Sequence, residues 1–121
     1  MRDEWTALNT FWNSFSIPAY DSNTVPDDAS FPYITYEASI GNLDNKVLLN
    51  ARLWYRTTSW AGISQKAKEI ISTVGGGYGI PYDDGRLWIV MASPAAQRMS
   101  EPDDPSVRTI LLQIEAEYQT V

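Results

Sequence analysis

The chain has 121 residues, 44% of them hydrophobic and 20% charged, the size and balance of one globular domain spanning 1–121. It contains no Cys and no His, which excludes disulfides, thiolate chemistry and zinc sites built on Cys, and removes the commonest general base and metal ligand. Nine basic against fifteen acidic residues give a net charge of −6, which argues against nucleic acid as the main partner, since phosphate affinity comes chiefly from Lys and Arg.

No basic segment precedes an apolar run at the N-terminus, so no signal peptide is expected. No apolar run approaches the roughly 20 residues of a membrane helix, so a soluble protein without membrane contact is expected. The five Trp and seven Tyr are enriched for this length. They fit either a core filled with large side chains or a contact surface.

From Arg2 to Phe15 the spacing of Trp5, Leu8, Phe11 or Trp12, and Phe15 predicts an amphipathic helix, with Asp3 and Glu4 in its first turn and Pro18 bounding it. A long loop follows from Ile17 to Pro32, which Ile17, Tyr20, Val25 and Phe31 would pin to the body. Alternation from Tyr33 to Ile40 predicts a half-buried strand with Ile34, Tyr36, Ala38 and Ile40 on one face. Gly41 to Asn45 reads as a turn. A second strand from Lys46 to Thr58 turns Val47, Leu49, Ala51, Leu53 and Tyr55 one way, and Leu48, Asn50, Arg52, Trp54 and Arg56 the other. The two strands form an antiparallel hairpin.

Ser59 is placed to cap a helix from about Trp60 to Val74, with Ile63, Ala67, Ile70, Ile71 and Val74 as its apolar stripe and Gly75-Gly76-Gly77 as its stop. Tyr78 to Tyr82 is a short extended piece broken by Pro81, and Asp83-Asp84-Gly85 is a turn. Arg86 to Ser93 reads as a central strand, Pro94 to Pro105 as a loop, and Ser106 to Tyr118 as the last strand. The order α-β-β-α-(β)-β-β predicts an α+β fold: a mostly antiparallel sheet of four to five strands with both helices on one face.

Catalytic patterns are weak. The acidic groups at Asp83, Asp84, Glu101, Asp103 and Asp104 lack the alternating spacing of a calcium loop and read as solvated turns. Glu37, Glu115 and Glu117 fall on strand faces expected to be wet, with no partner marked for acid–base work. The glycine run at 75–79 follows a helix instead of opening one, the wrong place for a phosphate cradle. Ser59, Ser93 and Ser100 have no nucleophile setting and no His base. No catalytic residue, cofactor or metal is therefore assigned. Arg52, Trp54 and Arg56, consecutive outward positions of one strand, are residue types enriched in binding hot spots. They fit an interface, a sheet face covered by helix, or Arg stacked on Trp at the surface.

The N-terminal helix, Ile17-Pro18-Ala19-Tyr20, the strand opening Phe31-Pro32-Tyr33-Ile34-Thr35-Tyr36, the long second strand, the helix and the Gly-rich turn together resemble the tail-completion or tail-terminator (minor tail) proteins of long-tailed bacteriophages and prophages. The resemblance implies a non-catalytic structural protein that closes into a ring, typically a hexamer, on the head-proximal end of the tail tube after assembly in the host cytoplasm. There it would stop tube polymerisation and offer a surface for joining the head, with the tail tube protein and a head-connector protein as partners. Such a ring needs two different patches on each subunit. The hairpin face with Arg52, Trp54 and Arg56, and the loop with Tyr20 and Phe31, are the candidates. A head–tail connector or neck protein and an unrelated small binding module are the alternatives.

Overall fold

A computed structural model describes residues 3–39, 46–83, 85–101 and 103–120. Ile40, the Gly41–Asn45 turn, Asp84 and Pro102 lie outside the described residues. The elements in chain order are α1 (Glu4–Asn13), β1 (Ala19–Asp21), β2 (Tyr33–Tyr36), β3 (Lys46–Arg56), α2 (Ala61–Val74), β4 (Tyr78–Tyr82), β5 (Gly85–Ser100) and β6 (Val107–Thr120).

The fold is α+β. One six-stranded mixed sheet has the order β1-β2-β3-β6-β5-β4, with β1 parallel to β2 and the remaining pairs antiparallel. The expected pairing of the second and third strands holds, with Tyr33 opposite Trp54 and Ile34 opposite Leu53. β3 and β6 pair along their whole common length, from Lys46 opposite Glu117 to Arg56 opposite Val107. Register keeps Leu49, Ala51 and Leu53 on the same face as Ile114, Leu112 and Ile110, and all six are buried. The inward sets read from alternation are thus the core-facing sets.

Both helices cover that one face. Leu8, Phe11 and Trp12 of α1 and Ile63, Ala67, Ile70 and Val74 of α2 join the inward strand residues in a single core. Each Val, Leu, Ile or Phe among them contributes about 1.5–3 kcal/mol when fully buried. Trp12 stacks on Tyr36 at 6.3 Å, and the Tyr36 hydroxyl accepts from Asn9 Nδ2 at 2.8 Å. Lys66 Nζ on α2 donates to the Phe15 carbonyl at 2.8 Å, tying the chain just past α1 to the second helix.

Several sequence expectations are corrected. α1 begins at Glu4, because Asp3 is its cap and accepts from the Thr6 amide at 2.8 Å. Trp5, placed on the apolar stripe, sits in the first turn and is 48% exposed, while Ala7 takes an inward position. The Ser59 hydroxyl accepts from the Ala61 amide at 3.1 Å, but the cap position itself is Trp60, which offers no side-chain bond. The loop from Ile17 to Pro32 contains the strand β1, making six strands among the described residues where four to five are expected. β5 does not end at Ser93. It passes through Pro94, shifts register between Met91 and Ala96, and runs to Ser100, so most of the expected loop at 94–105 is strand. Among the described residues, Gly85 to Ile89 of it are flanked by strands on both sides; β3 and β6 hold the central positions.

Candidate interface on the open sheet face

The face opposite the helices carries the outward residues of β2, β3, β5 and β6. Its chemistry is set by the tripeptide Arg-Leu-Trp, which occurs twice, at 52–54 in β3 and at 86–88 in β5. In each copy the Leu is fully buried against the helices, which forces its neighbours outward. In each copy the guanidinium lies over the indole, with Cζ 5.2 Å from the ring centroid.

Around the first copy the rings form a row. Trp54 stacks on Tyr33 at 6.0 Å with planes 14° apart. Tyr33 meets Tyr20 of β1 edge-on at 6.0 Å and Phe31 at 5.3 Å. The Arg56 guanidinium sits 4.7 Å from the Phe31 centroid. The five residues singled out from sequence, Tyr20, Phe31, Arg52, Trp54 and Arg56, therefore meet in one patch, and Tyr33 is the ring that joins them. Tyr33 was missed as a site residue, although it continues the outward alternation of Thr35. Arg86 and Trp88 were also missed, and the repeated tripeptide was the signal for them.

Side chains of the patch are held from below and from the side. Trp54 Nε1 donates to Thr35 Oγ1 at 3.0 Å. Thr109, opposite Trp54 on β6, is 1% exposed although it lies on this face, as is Val107 opposite Arg56 at 4%, and the Thr109 hydroxyl donates to the Met99 carbonyl at 3.1 Å. Arg56 Nη1 donates to Ser106 Oγ at 2.8 Å and pairs with Asp104 Oδ2 at 3.3 Å. The Asp104 carboxyl is held below its ordinary value, first by the Ser106 hydroxyl and amide and then by Arg56. Asp104 is thus a turn anchor. Arg52 donates to Met99 Sδ at 3.4 Å and makes no ion pair among the described residues. Burial, with Tyr20 adding to it, raises the Tyr33 hydroxyl above its usual value.

Two shallow depressions flank the row. One, of about 440 Å³, is lined by Phe31, Pro32, Tyr55 and Arg56. The other, of about 310 Å³, is lined by Thr35, Glu37, Asn50, Arg52 and Leu111. Glu37, read as a solvated strand residue, accepts from the Asn50 amide at 2.7 Å and continues the edge of β3. Among the described residues no group of three acidic side chains is arranged to hold a metal ion. What the patch offers is flat π surface, a guanidinium with no carboxylate partner among the described residues, and a polar rim, which suits recognition of another surface.

No protein-family model matches the chain, and comparison with curated proteins finds no relative. Among the described residues no helix is long and apolar enough to cross a membrane.

Proposed function

We propose that this chain is a structural tail protein of a long-tailed phage or prophage that caps the tail tube as a ring, stops tube polymerisation and offers the head-joining surface. The observation that carries this reading is the uncovered sheet face: the helices occupy only one side, and the other presents two Arg–Trp stacks and a row of rings. Trp, Tyr and Arg are the residues that anchor protein interfaces. A ring subunit needs such a face toward a neighbour or toward the tube, and it needs no catalytic group, which fits a chain without His or Cys. A head–tail connector uses the same kind of surface on a different partner, and co-purification with tube or connector protein separates the two.

The test is light scattering after size exclusion, over a concentration series from micromolar to near-millimolar. A ring-sized species that grows with concentration supports the proposal. A protein that neither associates with itself nor co-purifies with a tail tube or connector protein contradicts it.

The row formed by Tyr20, Tyr33 and Trp54 also supports a second reading, a small sugar-binding module, because rings in line are what sugar stacking uses. Binding on a glycan array would favour that reading over the first.

A further inference from the structure

Between α2 and the second half of β5 runs a groove of about 240 Å³. Ala67, Ile71, Ala96 and Ile110 give it an apolar lining, and Lys68 and Arg98 stand at its rim. It explains why Ile71, part of the apolar stripe of α2 in the sequence, is only half-buried. The groove opens beside the stretch of β5 beyond Met91, which has β6 on one side and, among the described residues, no strand on the other. Arg98 lies over Trp60 at 4.8 Å and reaches Ser64 at 3.5 Å. Neither Arg98 nor Lys68 makes an ion pair among the described residues, and both are exposed.

The opposite edge of the sheet has the complementary character. β1 is the edge strand there, and three of its outward backbone groups are already occupied. Asn13 Oδ1 accepts from the Ala19 amide at 3.0 Å, Asn13 Nδ2 donates to the Ala19 carbonyl at 3.2 Å, and the Asp21 carbonyl accepts from the Thr24 amide at 2.9 Å. A neighbour would meet the loop beyond β1 in place of a free strand. That loop carries Asp27 and Asp28 in a turn closed by the Ala29 amide donating to the Pro26 carbonyl at 3.1 Å. Both carboxylates are exposed and make no ion pair among the described residues.

We infer that the groove between α2 and β5 receives the Asp27–Asp28 turn of a second copy of this chain, in a head-to-tail contact. The inference rests on the self-association proposed above and gives it an address. The groove runs along β5 and the turn follows β1, the edge strand across the sheet, so each copy uses a different patch toward each neighbour. Such a contact either closes into a ring or runs on as a filament. Two cations at the rim set register and direction, and the apolar lining takes up Val25 and Pro26 beside the acidic pair.

Charge reversal tests it. Lys68→Glu with Arg98→Glu reverses the groove, and Asp27→Lys with Asp28→Lys reverses the turn. All four positions are exposed, so the fold should survive, which circular dichroism checks. Each reversed protein should self-associate roughly tenfold more weakly or worse at low salt. The fourfold variant, and an equimolar mixture of the two reversed proteins, should both recover association. If the parent associates and neither reversal weakens it, the groove contact is wrong while self-association stands. If groove reversal weakens association but turn reversal does not, the groove takes another acidic segment and the inference is overturned. If the parent stays monomeric throughout and carbodiimide joins no Lys68 to Asp27 or Asp28 between copies, this inference and the self-association beneath it both fall.

Discussion

Trp54 and Tyr33 face each other across the β2–β3 ladder with ring planes 14° apart, and the buried Thr109 lies opposite Trp54 on the next strand. The stack is both a cross-strand pair, worth up to about 1 kcal/mol, and the centre of the candidate patch. Trp54→Ala should therefore fold, lose about 1 kcal/mol in urea unfolding, and lose self-association across the concentration series. A Trp54→Ala protein that assembles like the parent removes Trp54 as an anchor. Trp54→Phe keeps a ring but gives up the bond to Thr35, and should fall between the two.

Tyr118 is buried, its hydroxyl donates to the Ser39 carbonyl at 2.6 Å, and its pKa is pushed up from 10 to about 12, first by burial and then by Glu4 and Tyr82. The folded state holds this proton more tightly than the unfolded one. The contribution is complete below pH 10 and is lost as pH rises toward 12. Tyr33, Tyr36 and Tyr55 are shifted the same way by burial and add to the alkaline loss. Unfolding measured from neutral to strongly alkaline pH should show this decline, and Tyr118→Phe should make it shallower. Below pH 10 that variant should cost about 1 kcal/mol for the missing bond.

Gly77 has φ +151°, and a Cβ there would stand 1.9 Å from Trp88 Cζ2. The indole would have to leave its place over Gly77 and beside Arg86. Gly77→Ala should lose about 2 kcal/mol in urea unfolding. Gly76→Ala, where a Cβ meets nothing within 4 Å, is the control and should stay within about 0.5 kcal/mol of the parent.

Asn13 closes the outward side of Ala19 with both ends of its amide. Asn13→Ala removes both bonds and should cost about 1–2 kcal/mol. Hydrogen exchange should show the loss locally, as faster exchange of the Ala19 amide with β3 and β6 unchanged. Uniform acceleration across the sheet would mean that Asn13 supports the whole fold.

The parts legible in the sequence were those with a long period. β3 and β6 each hold an inward set of five apolar residues, enough repeats to fix phase, and the outward set of β3 placed Arg52, Trp54 and Arg56 on the face opposite the helices. β1 was hidden because three residues after Pro18 are too few for alternation to register. β5 was cut short at Pro94 because proline cannot donate to a ladder and so reads as a stop. Here β6 pairs on the other side of a register shift, and the strand resumes at Ala96. The Trp60 site was not legible at all. Arg98 and Arg108 reach that ring from two strands, at 4.8 and 5.6 Å, and no local spacing announces a contact assembled from three separate elements.

The doubled Arg-Leu-Trp tripeptide bears on how the chain avoids misfolding. Strand pairing by itself tolerates sliding, because one backbone amide resembles the next. A one-residue slip of β3 or β5 would swing an arginine and a tryptophan into the space beneath the helices and turn a leucine out into water. Both strands that flank β6 carry this asymmetry, so an out-of-step pairing on either side would bury a charged guanidinium without a carboxylate. The residues that make the open face attractive to a partner thus also reject the sheet's nearest wrong alignment, and replacing both arginines by apolar residues would weaken that rejection along with any docking.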